Sequence, residues 1–205
     1  VELFEEMQMK GLKPSNISFL TILRSCGNIG AIRQGKLIHY CLLLQSDESD
    51  TGISTSVLVD MYAQCGHLEE AQELFNVLQH YGEISSWGAL IAGYAQNGLA
   101  NDALKCFRKM KDIGICPNSV TYICVMKACG MVGSLEIGEE IYARVSKQEL
   151  LKENIVLGTA LINMYAKCSA LEKACKVFDE LPERDTVTWS ALIAGYVENG
   201  LSDQA

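Results

Sequence analysis

The stretch from Trp87 to Leu99, WGALIAGYAQNGL, decides the fold, because it recurs 102 residues later from Trp189 to Leu201 as WSALIAGYVENGL. Similarity at a fixed period is typical of stacked arrays, in which each unit buries its apolar face against its neighbours. The sequence therefore predicts a repeat protein rather than a fold built around one central core.

Two further segments repeat at almost the same offset. Residues 56–66 recur 103 positions later as 159–169, and residues 19–27 recur as 122–130. Three unlike units therefore recur in fixed order as a triplet. Each unit is roughly 31 to 36 residues long, which is the length of a helix-turn-helix repeat.

The spacing of apolar residues within the units is helical. Leu161, Met164, Tyr165 and Cys168 stand at i, i+3, i+4 and i+7, which places one apolar stripe on a first helix. A residue suited to positive φ, such as Gly98, then closes each first helix, and a second helical pattern follows. No segment alternates as a strand does, so the predicted fold class is all-α.

The helix stops divide the chain into one repeat array over 1–205. The predicted units are a partial unit at 1–15, full units at 16–51, 52–83, 84–118, 119–154 and 155–185, and a partial unit at 186–205. The chain starts inside a helical pattern at Val1, so we expect it to be a fragment of a longer protein whose targeting segment lies upstream.

The composition argues against several function classes. The 17 basic and 25 acidic residues give a net charge of −8, whereas nucleic-acid binders usually present a basic face. The 9 cysteines include no C-x-x-C pair, so neither a zinc site nor a disulfide framework is indicated. No apolar run approaches the ~18 residues that a membrane-spanning helix needs, and no membrane partner is expected.

The motifs resemble the pentatricopeptide repeat family, and specifically its plant PLS subclass, in which P, long L and short S repeats alternate. Gly-Leu-Lys-Pro at 11–14 and Gly-Ile-Cys-Pro at 114–117 resemble the ends of P repeats. Lys-Ala-Cys-Gly at 127–130 resembles an L repeat, and residues 161–168 with 177–185 resemble an S repeat. In this scheme the full units read L, S, P, L, S, with a partial P repeat at each end.

The resemblance implies a right-handed α-solenoid superhelix of helix-turn-helix repeats, whose first helices line a groove for single-stranded RNA at about one base per repeat. It further implies a plant organelle protein, of the mitochondrion or the chloroplast, that positions RNA editing (C-to-U) or processing on a transcript. The chemistry would lie in a partner or outside this stretch, and no cofactor is expected.

In the family, the fifth and last residues of a repeat select the base. The S unit from 155 supplies Thr159 with Asp185, a pairing that resembles a guanine reader. The remaining predicted selectors are Gly88 with Asn118, Ser56 with Glu83, Leu20 with Thr51, Ile123 with Asn154, and Ser190. Second residues pack on base faces in the family, and here they include Val156, Val187, Val120 and Ile53. Lys167 is the candidate phosphate contact.

Two alternatives stay open from the residues alone. A polar residue near a helix start, such as Thr159, is usually a cap or a solvated side chain. An α-solenoid groove also accepts peptides, so the second hypothesis is a protein-interaction scaffold that binds accessory organelle editing factors.

An enzyme is the third and weakest hypothesis. His67-Leu68-Glu69 satisfies the H-x-E part of a zinc deaminase signature, but no P-C-x-x-C follows it. There is no phosphate-binding glycine loop and no nucleophile motif. We therefore predict no catalytic residue and no metal site in this chain.

Overall fold

The computed structural model describes residues 2–45, 55–77 and 84–204. Within these ranges the chain forms helices and turns and no strand. None of the helices in the described part is long and apolar enough to span a membrane. The predicted all-α class is confirmed.

The helices alternate between first and second members of helix pairs. The first helices are α2 (Asn16–Ile29), α4 (Thr55–Gln64), α6 (Ile84–Gln96), α8 (Ser119–Val132), α11 (Ile155–Lys167) and α13 (Thr186–Glu198). The others are α1 (Glu2–Met9), α3 (Ile32–Gln45), α5 (Leu68–Val77), α7 (Ala100–Asp112), α9 (Leu135–Lys147), the short α10 (Leu150–Glu153) and α12 (Leu171–Glu180), followed by a 3₁₀ turn at Ser202–Gln204. The division into P, L and S units remains a prediction.

The chain divides into two compact units, residues 1–97 with 109–116 and residues 98–108 with 117–205. In the first unit, α4 packs between α2 and α6, and the second helices α3 and α5 cover this layer. In the second unit, α11 packs between α8 and α13, and α9 and α12 cover them. Each unit therefore has a layer of first helices and a layer of second helices.

Neighbouring first helices approach closely at a glycine. A Cβ atom on Gly195 would lie 2.6 Å from the Cβ of Ala166, and one on Gly93 would clash with Ala63 in the same way. The amide of Asn199 then donates from α13 to the backbone oxygen of Ala166 at 2.9 Å. The repeated Gly-Tyr-x-x-Asn pattern of the opening stretch thus encodes the joint between consecutive first helices.

Aromatic residues fill the space between a second helix and the next first helix. Phe75 of α5 meets Trp87 of α6 edge to face at 4.5 Å between ring centroids, and Phe178 of α12 meets Trp189 of α13 at 4.7 Å. Trp87 is buried, whereas Trp189 remains 52% exposed. Edge-to-face pairs add about 0.5 to 1.5 kcal/mol beyond the area that they bury.

Equivalent positions in the two triplets form an ion pair, with the acidic and basic residues exchanged. Lys36 of α3 pairs with Glu70 of α5 at 2.9 Å, whereas 103 residues later Glu139 of α9 pairs with Lys173 of α12. Glu70 also contacts the ring of His67 at 2.8 Å. Hydrogen bonds from Lys36 and then His67 lower the pKa of Glu70 to about 2.

We expect ionised Glu70 to stabilise the fold, and we expect this stabilisation to be lost in acid. A depressed folded-state pKa stabilises the fold above the ordinary carboxyl value of 4.5, and this increment is lost as the pH falls towards about 2. Because the ion pair is partly exposed, the effect on the melting temperature should be only about 1 to 3 °C. Thermal melts of Glu70→Gln and the native chain should differ above pH 5 and converge near pH 2. Glu69→Gln in the same turn is the control, and an equal difference at all pH values would contradict the assignment.

A second prediction concerns the turns that follow the first helices α4 and α11. Gly66 has φ +80°, but its counterpart Ser169 has φ +57° with a side chain that disfavours this conformation. Ser169→Gly should therefore raise the free energy of unfolding by about 1 kcal/mol, and Gly66→Ser should lower it by a similar amount. Urea unfolding of both variants tests this, and destabilisation by Ser169→Gly would contradict it.

Candidate nucleic-acid interface

Among the described residues, the predicted last residues of the repeats are the N-caps of the next first helices. Asn118 precedes α8, Asn154 precedes α11 and Asp185 precedes α13. Each accepts a hydrogen bond from the backbone N–H three residues later, at 2.9, 3.2 and 2.8 Å. Ser15 caps α2 in the same way. The local rule that favours Asn, Asp and Ser as caps thus fixes these side chains at the starts of α2, α8, α11 and α13.

The predicted guanine-reading pair is connected through a third residue, Thr188. The Thr188 hydroxyl donates to Oδ1 of Asp185 at 2.7 Å and lies 3.2 Å from the hydroxyl of Thr159. Thr188 is fully buried and Thr159 is 9% exposed, whereas Asp185 is exposed. Thr159 is therefore neither a cap nor a solvated side chain, and the cap interpretation applies to Asp185 instead.

The donors and acceptors of Asp185, Thr188 and Thr159 can be assigned from their hydrogen bonds. The hydrogen bond from the Thr188 hydroxyl, and then the one from its backbone N–H, lower the pKa of Asp185. The carboxylate is thus ionised at neutral pH and can only accept hydrogen bonds. The one hydroxyl hydrogen of Thr188 is therefore donated to Asp185. Thr159 has its own hydrogen within reach of the Ile155 carbonyl oxygen at 3.0 Å. Both selectors can therefore offer a ligand only hydrogen-bond acceptors.

The predicted base-packing residues are apolar side chains in contact with solvent. Val120, Val156 and Val187 are the second residues of α8, α11 and α13, and they are 63%, 58% and 62% exposed. Ile17, the second residue of α2, is 75% exposed, although the sequence prediction omitted it. Its place as the second residue of a first helix, which it shares with the three valines, could have identified it from the sequence. Ile53 lies outside the described residues.

The other predicted selectors that the structure describes, apart from the caps, lie on first helices. Gly88 and Ser56 are half-buried in α6 and α4. Ser190 is exposed on α13 and its hydroxyl donates to the Thr186 carbonyl oxygen at 2.7 Å. Leu20 and Ile123 are half-buried and apolar, whereas Glu83 and Thr51 lie outside the described residues. These assignments stay predictions.

The first helices carry few charges, namely three basic and two acidic residues. The six first helices contain the basic residues Arg24, Lys127 and Lys167 and the acidic residues Asp60 and Glu198. The acidic excess of the chain therefore lies outside the first helices. The net charge of −8 therefore does not describe the first helices, whose own net charge is close to zero.

Two lysines lie on neighbouring first helices of the second unit. Both Lys127 of α8 and Lys167 of α11 are exposed. The stem of Lys167 crosses Gly130, one turn from Lys127, because a Cβ atom at Gly130 would lie 3.2 Å from the Lys167 Cδ. The sequence prediction named Lys167 alone. Lys127 was recognisable as the only charged residue of its helix.

The H-x-E triplet has a structural explanation. His67 contacts Glu70 rather than Glu69, and Glu70 is in turn bound to Lys36. In the part of the chain that the structure describes, no group of three or more His, Cys, Asp or Glu residues could hold a metal ion.

Comparison with known proteins places these features in a family context. The PPR repeat family matches residues 82–131, and the PPR repeat matches 53–82, 159–186 and 187–205. The chain is 38% identical over 205 residues to a pentatricopeptide repeat-containing protein of Arabidopsis thaliana, and 38% identical over 207 residues to a chloroplastic one from the same plant. It is 35% identical over 203 residues to a mitochondrial one. Each alignment covers 99% or more of this chain, but only 28%, 33% and 29% of the three relatives in the order given.

The fold is similar to that of the pentatricopeptide repeat protein PPR10, whose crystal structure contains an 18-nt psaJ RNA element. The match has a TM-score of 0.75 and 21% sequence identity, and it covers 100% of this chain and 30% of that one. A structure of PPR10 from maize matches with a TM-score of 0.64 over 94% of this chain. The predicted α-solenoid class is confirmed.

Proposed function

The chain belongs to the pentatricopeptide repeat family, and from that premise we propose that it binds single-stranded RNA along its first helices and reads one base per repeat. The hydrogen-bond chain Thr159–Thr188–Asp185, which lies between the starts of α11 and α13, is the observation that carries this proposal. The RNA bound to PPR10, a protein of similar fold, supports the same ligand class.

The acceptor-only character of this site favours guanine. The Watson–Crick edge of guanine carries two donor groups, N1–H and N2–H₂, whereas the edge of uracil carries one donor between two acceptors. Asp185 and Thr159 can supply two acceptors and no donor. A base that offers two donors therefore satisfies the site, whereas an acceptor facing Asp185 would be repelled.

The exposed second residues complement the base faces. Val156 and Val187 stand at the starts of the two helices that carry Thr159 and Asp185. A base between them would cover apolar surface that is otherwise exposed to water, which stabilises the complex by about 25 cal/mol per Å² buried. The valines bind any base, and the acceptors select among bases.

We also infer the finer setting of this function. The triplet order of unlike units supports the PLS subclass, and the chloroplastic and mitochondrial relatives support an organelle location. The role that we propose is to position C-to-U editing or processing on an organelle transcript. The chain spans about a third or less of the relatives above, so the rest of the protein would bring the remaining repeats and any further activity.

A protein-interaction scaffold is the second candidate, and α3 favours it. Its outer face exposes Leu37, Tyr40, Leu43 and Leu44. The equivalent positions of α9, 103 residues later, carry Glu140, Ala143, Ser146 and Lys147. Such an apolar face is suited to an accessory protein, which would bind on the second-helix layer rather than on the first helices.

Selection from a pool of random single-stranded RNAs tests the proposed function directly. At low salt, the chain should enrich guanine at one fixed place in the bound sequences. Asp185→Asn keeps the capping oxygen but replaces the other acceptor with a donor, so this enrichment should be lost while the fold is retained. Thr159→Asn adds an amide donor and should shift the preference from guanine towards uracil at the same place.

The outcomes separate the two candidates. Unchanged base preference in both variants would contradict the assignment of Thr159 and Asp185. An absence of RNA binding at low salt would favour the scaffold, whose apolar contacts depend weakly on ionic strength.

We expect Lys127 and Lys167 to contribute affinity without sequence preference. Lys127→Ala and Lys167→Ala should each weaken binding to all RNAs and reduce the slope of log affinity against log salt by about 0.7, the value for one single-strand phosphate. Fluorescence anisotropy at several salt concentrations measures both effects. Lys147→Ala, which removes an exposed lysine from the second helix α9, should leave the slope unchanged. An equal loss in all three variants would contradict a localised phosphate contact.

A further inference from the structure

The buried threonines at the third position of two first helices have a common arrangement. Thr121 of α8 and Thr188 of α13 are both fully buried. Each donates its hydroxyl to the same oxygen that accepts its backbone N–H, namely Oδ1 of Asn118 at 2.9 Å and Oδ1 of Asp185 at 2.7 Å. At the third position α11 has Leu157 instead, which gives Asn154 a backbone N–H alone.

The hydroxyl, as a second donor, fixes which oxygen of the cap side chain stays available to a ligand. A single backbone N–H can be met by a carboxylate or amide in several rotations about its last side-chain bond. Two donors from one residue, at 2.8 and 2.7 Å, both require Oδ1 of Asp185 to face Thr188. The direction of the other oxygen, Oδ2, is thereby fixed.

Thr188 also acts on the second selector. Because its hydrogen is given to Asp185, its oxygen faces Thr159 with lone pairs only, at 3.2 Å. The hydroxyl hydrogen of Thr159 is thus drawn to an acceptor inside the protein, either Thr188 or the Ile155 carbonyl oxygen. One buried hydroxyl therefore sets the polarity of both groups that would face a base.

We propose that Thr188 is a specificity-determining positioning residue, which never touches RNA but orients Asp185 and Thr159 as paired acceptors for guanine. This inference rests on the proposed RNA-binding function. Since Thr188 has no exposed surface, its effect on a base must pass through the two residues that it holds. Thr121 makes the corresponding two hydrogen bonds to Oδ1 of Asn118.

Thr188→Val removes the hydroxyl at nearly constant shape. The guanine-to-adenine ratio at the place read by Thr159 and Asp185 should fall about fivefold or more, as expected for one lost orienting hydrogen bond. Preferences at other places in the RNA should be retained. Thr188→Ser restores the hydroxyl and should restore the ratio.

Thr121→Val is the matched control. It removes the equivalent hydroxyl beside Asn118 and should leave the guanine preference at the RNA position read by Thr159 and Asp185 unchanged. A ratio that is unaffected by Thr188→Val, with guanine enrichment intact in the native chain, would overturn the inference. Absence of guanine enrichment in the native chain would instead contradict the proposed function. Circular dichroism checks folding, and if Thr188→Val does not fold, Thr188→Ala removes the same hydroxyl and the same ratio decides.

Discussion

The close approach of consecutive first helices is the constraint on which the other features depend. In each unit it is set where a glycine meets an alanine of the preceding first helix, Gly93 against Ala63 and Gly195 against Ala166. The following asparagine donates to the backbone oxygen of that same alanine. Sequential helix starts are thereby aligned, which brings a cap such as Asp185 within one residue's reach of the fifth residue of the preceding first helix.

This alignment explains why the caps are suited to a second task. An N-cap needs a short polar side chain that accepts from the backbone, and this requirement alone selects Asn, Asp or Ser. Only one oxygen is used for capping at Asp185. The remaining polar atom and the exposed valine two residues later can then contact a ligand without loss of the structural hydrogen bonds.

Charge is divided between the two layers in a way that the total does not reveal. The second helices carry most of the charged residues, including the partly exposed pair of Lys36 with Glu70 and the reversed pair of Glu139 with Lys173. The first helices carry a slight basic excess. Screening over about 8 to 10 Å makes the local surface more important to a bound polyanion than the charge of the whole chain.

The sequence by itself determined the repeat and the helices, because these depend on periodicity and on local backbone chemistry, whereas the positions that would contact a base remain predictions. It could not supply Thr188 as the link between Thr159 and Asp185, since that bond joins residues 29 apart whose meeting depends on how α13 packs on α11. The packing of the Lys167 stem across Gly130, one turn from Lys127, likewise joins two separate helices. Tertiary structure decided these features because the direction of a hydroxyl hydrogen and the neighbours of a side chain are set by packing between helices.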